Sequence, residues 1–213
     1  IARAKQVIKQ ARTLSFEHAV VVANPPYMGS KNMGSLLSRE AETNYSNSRY
    51  DLFAMFFERG LDLIRSGGVS AMLTMQSWMF LSRFATFRTN MLKNLSIDSM
   101  AHLGSRAFES IGGEVVQVVA YCVSKRPSST GRYIRLVDFD SSSLKEQALR
   151  KTAAQPTSGY VYANDQRRFL EIPGSPIAYW ASDSLLNTFT TGRRIEDVAP
   201  VRQGFQTGDN DRF

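Results

Sequence analysis

The chain has 213 residues, 43% of them hydrophobic and 21% charged, proportions of an ordinary globular domain that exclude an intrinsically disordered or low-complexity chain. A net charge of +7 favours a polyanionic partner, of which nucleic acid is the commonest. Cys122 is the single cysteine, which excludes an intrachain disulfide and fits a reducing, cytoplasmic compartment; no run approaches the roughly 20 apolar residues of a membrane span.

Residues 2–14 alternate cationic and apolar positions and predict a basic amphipathic helix; with no hydrophobic core they do not form a signal peptide. The run Ala19-Val20-Val21-Val22-Ala23, β-branched and closed by prolines, predicts a buried strand. Residues 28–50 hold Gly29, Gly34 and several Ser and Asn, which predicts a long loop of the kind usually tied to function. From Asp51 to Ser66, Phe53, Phe56, Phe57, Gly60, Leu61 and Ile64 recur at helical spacing. Asp51 can cap that helix, and Gly67-Gly68 would end it.

A strand over 69–75, a helix over 80–94 and a strand over 97–103 follow, then the turn-rich segment 104–113 and a longer strand over 114–124. Cys122 falls in the apolar run 118–123 and reads as a buried structural thiol. Alternating strands and helices predict a doubly wound parallel sheet. The last two strands are separated by too few residues for a helical crossover, so the final one should pair antiparallel. Pro127, Ser128, Ser129 and Gly131 predict a linker, and the short elements beyond it do not assemble into a recognisable fold. The expected division is 1–125 and 126–213. The start at Ile1 and the stop just after a polar motif fit a piece of a larger protein.

Asn24-Pro25-Pro26-Tyr27 stands directly after the first strand, and its parts suit one chemistry. An exocyclic amine such as that of adenine is a poor nucleophile, because its lone pair is delocalised into the ring. Acceptance of both N–H groups, by the Asn24 side-chain oxygen and the Pro25 carbonyl, would free that lone pair for attack on a methyl sulfonium. Proline fixes the backbone and offers no competing N–H, and Tyr27 offers a face on which an extruded base can stack. A chance match in a chain of this length is on the order of one in a thousand, taking average residue usage. The bland alternative is a Pro-Pro turn that merely ends a strand.

Asn24–Tyr27 resembles the catalytic motif of the amino-methyltransferases that act on DNA adenines. Tyr50-Asp51-Leu52-Phe53-Ala54-Met55-Phe56, Ser77-Trp78, Leu103-Gly104 with Ala107-Phe108, and the strand Val115–Cys122 are similar to the segments that follow in that family. Over nearly the whole chain the wording is closer still to the PglX family of adenine methyltransferases from BREX phage-defence systems, through residues 24–31, 51–56, 74–81, 100–104, 108–117, 172–180 and 204–213.

The resemblance implies the C-terminal half of a doubly wound, Rossmann-like methyltransferase sheet with a terminal antiparallel strand, then a mixed α/β segment leading into a target-recognition region. It also implies S-adenosyl-L-methionine as cofactor and double-stranded DNA with a flipped adenine as substrate. Other phage-defence proteins become possible partners. Asn24, Pro25 and Tyr27 would be catalytic, with Tyr27 and Phe108 stacking on the base. Asn24, Pro26 and Phe56 would contact the cofactor. The family's glycine-rich cofactor loop and its ribose-binding acidic residue lie upstream of the Asn-Pro-Pro-Tyr strand, and neither occurs in this sequence. Gly67-Gly68 follows a helix and is no substitute.

Several residues keep two readings. Phe56 fits core packing as well as cofactor contact, whereas Phe108, in a polar turn, suits a site better. Lys31, Arg39 and Arg49 suit phosphate contact or solvated surface equally. His18 and His102 have no metal-ligand partners in the sequence and read as structural. Asp209 and Asp211, set among Asn210 and Arg212, read as a turn rather than a metal pair. The same motif also serves methyltransferases acting on a protein glutamine amide or an rRNA base, and a third reading is an inactive DNA-binding module.

Overall fold

A computed structural model describes residues 2–108, 116–126, 130–155 and 157–200. Helix α1 (Ala2–Ser15) buries none of its residues, as its cationic face leads one to expect. Strand β1 (His18–Ala23) follows. Residues 28–50 are not one loop: a 3-10 turn at Ser30–Asn32 leads to helix α2 (Ser35–Asn44). The turn-forming residues outside α2 obscured this short helix, which buries only Ala41.

Helix α3 (Leu52–Leu63) starts where its cap predicts, the Asp51 carboxylate accepting from the Phe53 N–H. Phe53, Ala54, Phe57 and Gly60 form its buried face, while Phe56 is 41% exposed and off that face. Gly60 permits close packing on the sheet, since a Cβ there would collide with the Met72 side chain and the Ser70 hydroxyl. The helix ends at Leu63 rather than at Gly67-Gly68, because Ile64 already pairs with His18 of β1. The two glycines lie inside strand β2 (Ile64–Met75), where the register jumps from His18↔Ile64 to Val20↔Val69. Gly67, at φ 71°, absorbs that excursion.

Two 3-10 turns, Gln76–Met79 and Ser82–Phe84, precede helix α4 (Ala85–Asn94), so the helix expected from residue 80 is α-helical only from Ala85. Strand β3 (Ser96–Gly104) and strand β4 (Val118–Ser124) come next. Beyond the expected linker the sheet continues. Strand β5 (Thr130–Arg135), helix α5 (Ser142–Ala154), strand β6 (Val161–Asp165) and a 3-10 turn (Gln166–Glu171) all precede Trp180, where one compact unit ends. A second unit, from Ala181, contains helix α6 (Asp183–Thr191), capped by the Ser182 hydroxyl, and a 3-10 turn at Ile195–Asp197.

The six strands run β1-β2-β4-β3-β5-β6. β1 and β2 are parallel, β4 is antiparallel to both β2 and β3, β5 is parallel to β3, and β6 returns antiparallel. The predicted antiparallel strand is therefore β4, and it sits in the interior of the sheet. Its position between two strands fits its apolar run, with Val119, Tyr121 and Val123 buried on one face and Ala120 and Cys122 half-buried on the other. Cys122 on this strand is only half-buried. Phe57 and Phe87 of α3 and α4 meet Trp78 and Tyr121 in an aromatic core, with ring centroids 4.8–6.2 Å apart. At the other margin β1 leaves Val22 75% exposed. Among the described residues no helix is long and apolar enough to cross a membrane.

Candidate active site

The carboxyl ends of β1, β2, β3 and β5 and the amino end of β4 lie along one edge of the sheet, as the pairings Ala23↔Met72, Met75↔Val118, Gly104↔Val118 and His102↔Arg135 require. In open α/β sheets this edge is where ligands bind. Asn24 follows β1 directly and is exposed, Pro25 behind it is buried, and Pro26 is exposed again. The motif thus has one anchored residue between two that face outward.

Tyr27 is fixed from two sides. Its hydroxyl donates to the Leu73 carbonyl of β2 at 3.4 Å, and its ring meets Phe53 edge-on at 6.1 Å. Burial raises its pKa, so the phenol stays protonated at neutral pH. Asp51 holds the segment after the motif. Its carboxylate accepts from the Met28 N–H at 3.0 Å while capping α3. Leu52 N donates to Met28 O and Ser30 N to Tyr50 O, each at 3.0 Å. Asp51 is only 7% exposed, and burial raises its pKa despite the N–H groups that favour the charge. The sequence showed Asp51 as a cap; its second bond, to the segment that follows the motif, joins residues 23 positions apart and has no local signature.

Of the residues expected around this site, Asn24, Pro26 and Phe56 present exposed surface. Such residues can meet a sulfonium cofactor, which would supply an electrophilic methyl group. Tyr27 and Phe108 do not pair in the structure: Tyr27 meets Phe53, and Phe108, half-buried four residues beyond β3, is in none of the described ring pairs. Lys31 and Arg39 are exposed, while the Arg49 guanidinium lies 5.5 Å from the Tyr50 ring centroid. His18 bonds Thr13 O at 2.8 Å. No group of His, Cys, Asp or Glu among the described residues could hold a metal ion. Asp209, Asp211 and Arg212 lie outside the described residues.

Two buried polar residues support the site edge: Arg88, which the sequence reading missed, and His102, which it read as structural. Arg88 of α4 is 1% exposed and binds Trp78 O at 2.8 Å, Leu81 O at 2.7 Å, Ser175 O at 3.1 Å and Gly174 O at 2.6 Å. It thereby fixes the turn that leaves β2 at the site edge, and burial lowers its pKa to about 10. His102 is buried between the Tyr179 hydroxyl, 2.8 Å from Nδ1, and Gln76 Oε1, 2.5 Å from Nε2. Burial, then the charges of Arg135 and Lys145, lower its pKa to about 4, so the ring is neutral.

Comparison with known proteins connects this geometry to a family. The model of the Eco57I restriction-modification methylase family matches residues 4–108. The adenine-specific methyltransferase PglX of Lacticaseibacillus casei is 43% identical over 98% of the chain, and the adenine-specific methyltransferase BrxX of Escherichia coli O9:H4 is 40% identical over 85%. The chain spans 18% and 15% of those two proteins.

Among solved structures, a nuclease-deletion mutant of the Type ISP restriction-modification enzyme LlaGI, in complex with a DNA substrate mimic, superposes with a TM-score of 0.59 at 14% identity, covering 84% of this chain and 19% of that one. The type I restriction-modification methyltransferase subunit from Streptococcus thermophilus gives 0.54 at 17% identity, covering 76% and 37%. These likenesses establish the fold, a segment of a Rossmann-like methyltransferase sheet. With 43% identity held across 98% of its length, the chain is similar to one segment of the adenine-specific methyltransferase PglX, and over 85% of its length to one of BrxX.

Proposed function

We propose that the protein carrying this chain transfers a methyl group from S-adenosyl-L-methionine to N6 of adenine in double-stranded DNA, as part of a BREX-type phage-defence system. The observation that carries the reading is the Asn24–Tyr27 motif at the carboxyl end of β1, with Pro25 buried, Tyr27 bonded to β2 and Met28 bonded to the cap of α3. Asn24 Oδ1 and the Pro25 carbonyl accept the two N–H groups of the adenine amine, and the proton is lost after the methyl is taken. Tyr27 supplies one stacking face, and Phe108 supplies the opposite one once the flipped base is bound. Asn24, Pro26 and Phe56 bear on the cofactor. Residues 1–125 form the catalytic half, and 126–213, whose strands β5 and β6 extend the same sheet, lead towards target recognition.

Nucleoside analysis of a cognate duplex methylated by the complete protein tests this. N6-methyladenine as the product supports the reading. Methyl transfer to a protein glutamine or to rRNA, with none to DNA, would replace it with the alternative chemistry that the same motif serves.

A further inference from the structure

Along the sheet edge that carries the Asn-Pro-Pro-Tyr motif lies a cavity of about 470 Å³ that the proposed reaction does not use. Its walls include Gln76 after β2, Gln117 before β4, His102 of β3, Arg135 of β5, and the rings of Phe80 and Trp180. All belong to the first compact unit. The volume falls in the range of small-molecule and base-sized sites.

The polar side of this cavity is a directed chain. Gln76 Oε1 can only accept, so the His102 proton is spent there and Nδ1 takes the hydrogen of the buried Tyr179 hydroxyl. Neutral His102 then carries its proton on Nε2 and donates to Gln76 Oε1. The Gln76 amide nitrogen donates to Gln117 Oε1, which leaves the Gln117 NH2 as a positioned donor at the wall. The apolar side is Trp180, 39% exposed, braced edge-on by Phe80 at 5.7 Å and with the Arg135 guanidinium 5.2 Å from its centroid. Arg135 is itself paired with Asp138 at 3.1 Å, which makes it a brace for the ring and a poor phosphate site. An exposed indole beside oriented carboxamides matches a planar heteroaromatic with hydrogen-bonding edges.

We propose that this cavity is a second base subsite, which takes one unstacked DNA base near the target adenine, stacked on Trp180 and hydrogen-bonded at its edge by Gln117 and Gln76. The inference rests on the reading of DNA as substrate. The same ring chemistry could come from the cofactor's adenine, and the two sources are separable. DNA affinity of the complete protein is measured on duplexes carrying a single abasic nucleotide at successive positions around the target, for wild type, Trp180→Ala, Trp180→Phe and Gln117→Leu.

Trp180→Ala should weaken binding of the intact duplex about tenfold, in line with the loss of one base–aromatic stack, and Trp180→Phe should restore most of it. At one flanking position the abasic duplex should cost wild type a similar factor and Trp180→Ala nothing more. Gln117→Leu, at the exposed rim and no threat to folding, should show the same non-additivity at the same position. Equal penalties at every position for all variants would overturn the subsite. So would a Trp180→Ala protein that binds DNA normally but S-adenosylmethionine about tenfold more weakly, since the ring would then serve the cofactor. The readout is binding, so a protein with the expected pattern that methylates no adenine would count against the proposed reaction and not against the subsite.

Discussion

At the scale of single residues, Asp51 joins the motif to the scaffold, and its chemistry is separable from its charge. Its carboxylate accepts from two backbone N–H groups, those of Met28 and Phe53, which an amide oxygen can also satisfy. Asp51→Asn should therefore leave stability nearly unchanged, while Asp51→Ala should cost about 1–2 kcal/mol, the usual worth of a lost N-cap. Urea unfolding of both variants distinguishes these outcomes; equal losses would mean that the charge itself matters. His102 gives a pH prediction. With a folded pKa of about 4 against 6.5 unfolded, between those values the unfolded chain binds a proton that the folded chain refuses. Stability should fall as pH drops through that window, by on the order of 3 kcal/mol. His102→Gln should flatten that part of the profile, and an unchanged slope would show that His102 is not the group titrating.

At the scale of elements, α4 and the turn before it depend on a residue whose role has no local signature. Arg88 looks like ordinary surface charge in a helix, yet its guanidinium holds carbonyls at Trp78, Leu81, Gly174 and Ser175. Arg88→Met keeps the length of the side chain and removes every donor. It should destabilise the fold by about 3 kcal/mol or more, because buried carbonyls lose charge-assisted partners together. Arg88→Lys should recover only part of this, having fewer donors and no planar fork. A loss below about 1 kcal/mol for Arg88→Met in chemical denaturation would contradict the bracing role, water then satisfying the carbonyls at little cost.

The elements legible in the sequence were those with strong local patterns: β1 from its valines, α3 from its aromatic face and cap, β4 from its apolar run. Helix α2 was hidden because Gly34 supplies no side-chain cap and only Ala41 is buried. Strands β5 and β6 were hidden for a different reason. Thr130–Arg135 becomes a strand by lying beside β3, some 30 residues earlier by the pairing Met100↔Tyr133, and such a pairing leaves little trace in the local pattern.

At the scale of the whole molecule, the sheet brings Asn24, the Gln76 turn and Gly104 to one edge, so a motif of four residues shares that edge with the ends of four other strands. The motif itself was readable because its chemistry is local. Its supports were not, because Tyr27 to Leu73 and Met28 to Asp51 are contacts across 46 and 23 residues. A basic protein that acts on DNA should also bind it with strong salt dependence, and Asn24 should contribute little to that binding. The most direct test of the central claim compares wild type with Asn24→Ala in the complete protein, measuring methyl transfer to a cognate duplex alongside DNA affinity. The expected result is a rate lower by a factor on the order of 10²–10³, the cost of losing one positioned transition-state hydrogen bond, with DNA affinity and folding retained. A folded Asn24→Ala protein that methylates adenine at the wild-type rate would contradict the account.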